Sequence, residues 1–132
     1  IFQIWLLIKA RRVAAVPLVL PAEAAREMAA GAWICDVRSH GYLDAKAIRI
    51  KGSRRLDPNT ISTSKPSLPA DRTLLVYCTC LREATSARVA RELLKQGIRV
   101  AVIKGGLRAW NKAGLPVEPV PPGEVAQFPV FQ

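Results

Sequence analysis

The chain contains few of the side chains that mark disulfide frameworks and metal sites. Its 132 residues include three cysteines and one histidine, which is too few for a secreted disulfide framework and favours a reducing, cytosolic setting. Two of the cysteines, Cys78 and Cys80, form a CxC pair that offers only two ligands, so no closed zinc site and no bound metal is predicted. His40 stands alone and is interpreted as an exposed residue.

Acidic residues are scarce as well. Ten Asp and Glu stand against twenty Lys and Arg, for a net charge of +10. Such an excess of positive charge is typical of proteins that bind nucleic acid, an anionic membrane surface or small anionic substrates. Since the basic residues are scattered and no nucleic-acid motif is present, no nucleic-acid partner is predicted. The most basic segment, residues 46–55, could face lipid headgroups or a small anion, or it could be a solvated face.

No stretch is long enough to cross a bilayer, which takes about 20 apolar residues. The dense apolar run of residues 1–8 ends at Lys9, Arg11 and Arg12, and it lacks the charge-first order of a signal peptide. We expect residues 1–12 to be the end of a transmembrane helix or a juxtamembrane segment, with the basic residues on the cytoplasmic side. The alternative is an amphipathic or core-packing helix of the soluble domain.

The most informative stretch is residues 73–96. Its first six residues are nearly all apolar, β-branched or aromatic, which predicts a buried parallel strand. From Ser86 on, apolar residues recur with the spacing of one helix face. This pattern predicts a helix with Thr85 or Ser86 as the N-cap and Gly97 at the end. The loop between them carries Cys78 and Cys80. The N-terminus of a helix favours a thiolate, so this loop is a candidate reactive site.

The remaining segments alternate between strand and helix patterns. They predict a single α/β domain with a central, mostly parallel sheet of about five strands and helices on both faces. Within the sheet Cys35 is expected to be a small buried hydrophobe. The domain is predicted to cover residues 13–122, followed by an irregular tail at 123–132. Strands are predicted at residues 17–20, 32–37, 47–53, 73–78 and 98–103, helices at 21–31, 86–96 and 107–113, and an extended edge at 115–120.

The sequence YCTCLREATSAR at residues 77–88 resembles the active-site loop of the rhodanese (sulfurtransferase) family. In that family a strand ending in Tyr-Cys leads into a cradle-shaped loop and a helix that begins near Ser-Ala-Arg. Residues 36–38 (DVR), 104–110 (KGGLRAW) and 114–117 (GLPV) also match. An apolar, then basic segment before such a domain resembles bacterial DedA-type membrane proteins with a C-terminal rhodanese domain. This resemblance implies a location at the cytoplasmic face of the inner membrane.

The resemblance implies a sulfurtransferase without metal or organic cofactor. A thiolate would take sulfur from thiosulfate or a similar small anionic donor and pass it from a persulfide to a thiol or cyanide acceptor. We favour Cys78 as nucleophile because it follows Tyr77 at the strand end. Cys80 is the alternative because it keeps the family's usual distance to Ser86. A redox-responsive module that uses both cysteines, or a non-catalytic regulatory domain on a membrane protein, remains the alternative function.

Other site residues follow from the same resemblance. Arg82 is a candidate anion contact, with an exposed loop charge as its alternative, and Glu83 would raise the pKa of the thiolate unless it turned outward. Trp110 is expected to pack beneath the loop. Supporting roles are predicted for Asp36, Arg38 and Arg88, and the residues predicted to bind the donor are Thr79, Leu81, Arg82, Glu83, Ala84, Thr85 and Ser86.

Overall fold

The computed structural model describes residues 16–39, 41–42, 44, 46–59, 61, 68–79 and 84–121. Within these ranges seven strands and three helices are present, and every helix is preceded and followed by a strand. The elements are β1 (Leu18–Val19), α1 (Pro21–Ala29), β2 (Trp33–Asp36), β3 (Ile48–Ile50), β4 (Arg54–Arg55), β5 (Leu74–Tyr77), α2 (Ala84–Lys95), β6 (Val100–Ile103), α3 (Gly106–Lys112) and β7 (Val117–Pro119).

The central sheet has five strands in the order β1-β6-β5-β2-β4, and all neighbouring pairs are parallel. The predicted α/β class and five-stranded sheet are therefore confirmed. A separate antiparallel pair joins β3 to β7, so the extended edge predicted at residues 115–120 is also present. Because the sheet is parallel, all five strands end at one edge, here called the carboxyl edge, and begin at the opposite amino edge.

Side-chain alternation along β5 divides the core into two layers. Leu74 and Val76 pack with Val89 of α2 in one cluster, whereas Tyr77 packs with Trp110 of α3 in the other. The helices therefore cover both faces of the sheet, as predicted.

Trp110 is core, as expected, at 2% exposed. It does not lie in the layer that contains Cys78, because α3 packs on the same face of the sheet as α1. Loop residues 80–83, beneath which it was expected to pack, lie outside the described residues.

Two boundaries differ from the predictions. Helix α2 already includes Ala84, so Thr85 and Ser86 lie in its first turn and neither is the N-cap. The predicted strand at residues 47–53 is divided into β3 and a turn, since the Ser53 N–H donates to the Ile50 carbonyl at 3.0 Å. The predicted end of α2 is confirmed: Gly97 has φ +82°, a left-handed conformation typical of helix ends.

Several predictions fall outside the described residues. They concern residues 1–12, the tail at 123–132, His40, and the loop residues Cys80, Leu81, Arg82 and Glu83. The helices that are described are nine, twelve and seven residues long, and none of them is long and apolar enough to cross a membrane.

Candidate active site

Cys78 lies at the carboxyl edge of the sheet, directly after the central strand β5. It is 1% exposed and packs in the core layer beneath α2. Thr79, the next residue, is exposed. The chain thus passes from core to surface within one residue, at the edge where parallel α/β sheets place their ligand sites.

Ser86 in the first turn of α2 contacts the Cys78 thiol. The Sγ–Oγ distance is 3.3 Å, with the thiol as donor, and the contact is buried. If the thiol loses its proton, the hydroxyl can reverse its role and donate to the thiolate. The contact also brings the sulfur to the N-terminal turn of a twelve-residue helix, whose positive dipole end favours an anion.

Gly106 fixes the backbone of Cys78 from the other side. It follows Gly105 at the start of α3 with φ +56°, and a Cβ at this position would lie 2.1 Å from the Cys78 carbonyl oxygen. The Leu107 N–H donates to the same oxygen at 3.4 Å. Only a glycine allows α3 to approach β5 this closely. Gly106, at the start of α3, therefore positions the strand end that carries the cysteine.

The side chains of Asp36 and Arg38 form a buried ion pair beside the site. The carboxylate accepts bonds from the Arg38 Nε at 2.9 and 3.1 Å and from its backbone N–H at 3.0 Å, and Nη2 lies 2.7 Å from Oδ2. Arg38 also donates to the Ile48 carbonyl at 2.8 Å. Both residues thus connect β2 to β3.

Arg55 completes this network. Its Nη1 donates to the Arg38 carbonyl at 2.7 Å and lies 3.7 Å from the Asp36 carboxylate, while burial lowers the pKa of the guanidinium. The Tyr42 ring stacks against the Arg55 guanidinium at 4.6 Å and that of Arg38 at 5.3 Å. Arg55 is therefore internal and does not face lipid or a passing anion.

A second contact ties this network to the cysteine loop. The Ser39 and Thr85 hydroxyls lie 3.5 Å apart, which joins the segment after β2 to the first turn of α2. By contrast, Arg88 donates to the Pro58 carbonyl at 3.3 Å and so supports the loop that follows β4. Five of the predicted site residues thus make contacts in the segments around the cysteine. They are Asp36, Arg38, Thr85, Ser86 and Arg88.

Two other residues support the sheet beneath the site. Cys35 is buried, as predicted, and burial raises the pKa of its thiol from 9.0 to about 12, so it is a poor nucleophile. The Tyr77 hydroxyl accepts a bond from the Ile50 N–H at 3.1 Å and lies 3.1 Å from the Ser53 hydroxyl. Burial also raises the pKa of Tyr77. Tyr77 therefore links the strand before the cysteine to the β3–β4 turn.

Sequence reasoning did not find Arg55, Ser39, Tyr42 or the role of Gly106. Arg55 belongs to a two-residue strand, which is too short to show an alternating pattern. Ser39 directly follows the matched DVR sequence, and this proximity is the one signal that could have indicated it. Among the residues the structure describes, no group of three or more His, Cys, Asp or Glu side chains could hold a metal ion.

Fold and site together define an α/β domain in which the central parallel strand delivers a cysteine to the first turn of a helix. The family model for the rhodanese-like domain matches residues 20–113. The chain therefore belongs to the rhodanese-like domain family. No curated protein matches the chain significantly.

Solved structures resemble the chain over most of its length. A full-length protein from Lactobacillus plantarum is 23% identical with a TM-score of 0.70, covering 89% of this chain and 96% of its own. A rhodanese-related protein from Thermoplasma volcanium is 22% identical with a TM-score of 0.65, covering 77% and 97%. A protein of unknown function from Rhodopseudomonas palustris, described as a possible tyrosine phosphatase, is 24% identical with a TM-score of 0.63, covering 79% and 86%. At these identities the likenesses show the fold alone.

Proposed function

We propose that the chain is a sulfurtransferase that forms a persulfide on Cys78. The observation that carries the proposal is the position of this cysteine at the carboxyl edge, 3.3 Å from the Ser86 hydroxyl in the first turn of α2. Membership of the rhodanese-like family supports sulfur chemistry at this place in the fold. The exposed Thr79 marks the side from which a donor would enter.

The reaction would proceed in two displacements. The Cys78 thiolate attacks the outer sulfur of thiosulfate or a similar donor, the sulfur–sulfur bond of the donor breaks, and sulfite leaves with the electron pair. A thiolate or cyanide acceptor then attacks the outer sulfur of the persulfide and returns Cys78 as a thiolate. The leaving group is sulfite in the first displacement and the Cys78 thiolate in the second. The helix N-terminus would favour both anions, and the Ser86 hydroxyl would donate to the thiolate.

The loop residues would bind the donor. Leu81, Arg82, Glu83 and the alternative nucleophile Cys80 keep the roles predicted for them. The acceptor would be a small-molecule thiol or a protein thiol. We also propose that residues 1–12 tether the domain to the cytoplasmic face of the inner membrane, as in the DedA-type proteins whose order of features they resemble.

A second candidate is a redox-responsive or non-catalytic regulatory domain that uses the Cys78 and Cys80 pair. The observation in its favour is that Cys78 is only 1% exposed, whereas a nucleophile must be reached by its donor. Phosphatase chemistry has less support: an arginine that grips phosphate would be needed where Ala84 and Thr85 stand, and Arg88 donates to the Pro58 carbonyl instead.

Thiosulfate-to-cyanide transfer tests the proposal. We expect Cys78→Ser to abolish transfer and Cys35→Ser, the matched control for losing a buried thiol, to retain it. If Cys80→Ser abolishes transfer while Cys78→Ser retains it, the nucleophile is wrongly assigned. If the wild-type protein transfers no sulfur but forms a disulfide on mild oxidation, the redox candidate replaces the sulfurtransferase.

The role of Ser86 is tested with a pair of variants. We expect Ser86→Ala to raise the pH at which the transfer rate is half-maximal, because the thiolate loses a hydrogen-bond donor. Ser86→Thr keeps the hydroxyl and should restore the wild-type pH profile. A profile that does not move in Ser86→Ala would show that the contact is structural only.

A further inference from the structure

The amino edge of the sheet, opposite to Cys78, forms a strongly basic surface. We define the amino-edge face as the last turns of the three helices with the loops that lead into the strands of the central sheet. Among the residues the structure describes, this face carries six basic and three acidic side chains that are exposed or half-exposed. The basic residues are Arg26, Lys51, Arg72, Lys95, Arg99 and Lys112, and the acidic ones are Glu27, Asp71 and Glu92.

The carboxyl edge is different. Its loops and the first turns of its helices carry, over the same described ranges, three basic and three acidic exposed or half-exposed residues. The excess positive charge is therefore concentrated at the end of the domain that lies away from the cysteine. The residues compared are Lys46, Lys104 and Arg108 with Glu23, Asp44 and Asp57.

Helix C-termini attract basic residues through their dipole, but this does not account for the whole amino-edge face. Lys51, Arg72 and Arg99 lie in loops. One of these arginines and Arg54 of the neighbouring strand β4 flank one aromatic ring: Trp33 has the Arg54 guanidinium at 3.8 Å and that of Arg72 at 5.6 Å. A half-exposed tryptophan beside arginines is typical of a surface at the level of lipid headgroups.

The N-terminal segment joins the domain at this same edge. Val16, the first described residue, precedes β1, whose Leu18 pairs with Val102 in a parallel register. Because β6 begins at Val100, this register places Val16 level with the start of β6, at the amino edge. The preceding residues carry the apolar run at 1–8 and three basic residues at 9–12. The amino-edge face thus lies where a membrane-attached segment would bring it.

We propose that the amino-edge face lies against an anionic lipid surface and that the carboxyl edge, where the buried Cys78 lies, is directed away from it into the aqueous phase. The charge of the face complements phosphate and serine headgroups, and its attachment point fixes which end of the domain meets the bilayer. The arrangement leaves the carboxyl edge open to a soluble donor and acceptor. This inference rests on the proposed membrane tether and does not depend on the sulfur chemistry.

Binding of the full chain to lipid vesicles tests the proposal. One set of vesicles contains phosphatidylcholine only, and a second contains about 30% phosphatidylserine to supply negative surface charge. The test variant is Lys51→Gln/Lys95→Gln/Arg99→Gln. The matched control, Lys46→Gln/Lys104→Gln/Arg108→Gln, removes the same charge at the carboxyl edge. All six side chains are exposed, and thermal unfolding checks that each variant is folded.

We expect the wild-type protein to bind the anionic vesicles more tightly than the neutral ones, with the difference falling at high salt. Each basic residue near such a surface changes affinity about fivefold, so the test variant should lose on the order of 100-fold on anionic vesicles. The control should lose less than about tenfold, because its charges lie farther from the surface than a Debye length.

Equal losses in the two variants would overturn the proposal, because net charge and not one face would then account for binding. So would a larger loss in the control, or no preference of the wild type for anionic vesicles. Binding to neutral vesicles reports separately on residues 1–12. Failure of the tether is therefore distinguished from failure of the face, and neither affects the transfer assay.

Discussion

Gly106→Ala should be among the most damaging single changes in the domain, although it adds only one methyl group. The added Cβ would lie 2.1 Å from the Cys78 carbonyl oxygen, 3.2 Å from its carbon and 3.6 Å from its nitrogen. Ordinary contacts begin near 3.4 Å, so the two backbones must separate by about 1 Å. Both partners are main chain, and neither can rotate away as a flexible side chain would.

Two costs combine in this variant. A non-glycine residue in the left-handed region costs about 1–2 kcal/mol, partly offset because alanine restricts the unfolded chain. Forced overpacking costs about 1–3 kcal/mol more. We therefore expect a loss of about 2–4 kcal/mol in the free energy of unfolding. In addition, a shift of about 1 Å at the nucleophile should lower kcat/KM for sulfur transfer about 100-fold.

Gly97→Ala is the matched control. Gly97 also has a positive φ, +82°, but its added Cβ would meet nothing within 4 Å. Urea unfolding should therefore show a loss of only about 1–2 kcal/mol, with transfer unchanged. If Gly106→Ala is no less stable than Gly97→Ala, the close approach of α3 to Cys78 does not constrain the fold. If stability falls but kcat/KM does not, the packing of Gly106 against Cys78 stabilises the fold but does not position the thiol for sulfur transfer.

Three further predictions concern buried polar groups. Asp36→Asn should lower the free energy of unfolding by about 3–5 kcal/mol, because it leaves two buried guanidinium groups without their carboxylate. In urea unfolding Asp71→Asn, which removes an exposed pair, should cost less than about 1 kcal/mol, and equal losses would refute the bracing role. Tyr77→Phe should cost about 1–3 kcal/mol, since a buried N–H loses its acceptor; a neutral effect on the thermal midpoint would show that this bond is dispensable. Because burial raises the pKa of the Cys35 thiol to about 12, its alkylation by iodoacetamide in the folded protein should be negligible at about pH 8 and should stay far below that of an ordinary thiol up to about pH 10, whereas rapid labelling at neutral pH would contradict its burial.

The fold could be predicted because its signals are local and redundant. The β5 sequence is apolar throughout and all four of its residues are buried, which is typical of a central parallel strand. Gly97 marks the end of α2 by its backbone conformation alone. The strand boundaries near residue 52 could not be predicted from the sequence pattern. A tight turn there separates β3 from β4, two short strands that belong to different sheets.

The frame of the site could be predicted only in part. Asp36 and Arg38 lie two residues apart in a matched sequence, so a supporting role was expected for both, although their ion pair was not. Arg55 reaches the same carboxylate from a distant segment, and no local pattern distinguishes it from the exposed Arg54 beside it. The same limit applies to the Ser39–Thr85 contact, which joins residues 46 positions apart. Long-range contacts of this kind depend on the packing of the whole sheet.

The central claim is that Cys78 carries sulfur, and intact-mass analysis of the reduced full chain before and after thiosulfate tests it most directly. The account predicts a gain of one sulfur atom that is lost on treatment with cyanide, absent in Cys78→Ser and present in both Cys35→Ser and Cys80→Ser. A gain that persists in Cys78→Ser and disappears in Cys80→Ser would contradict the assignment. No gain in the wild-type protein would contradict the proposed function itself.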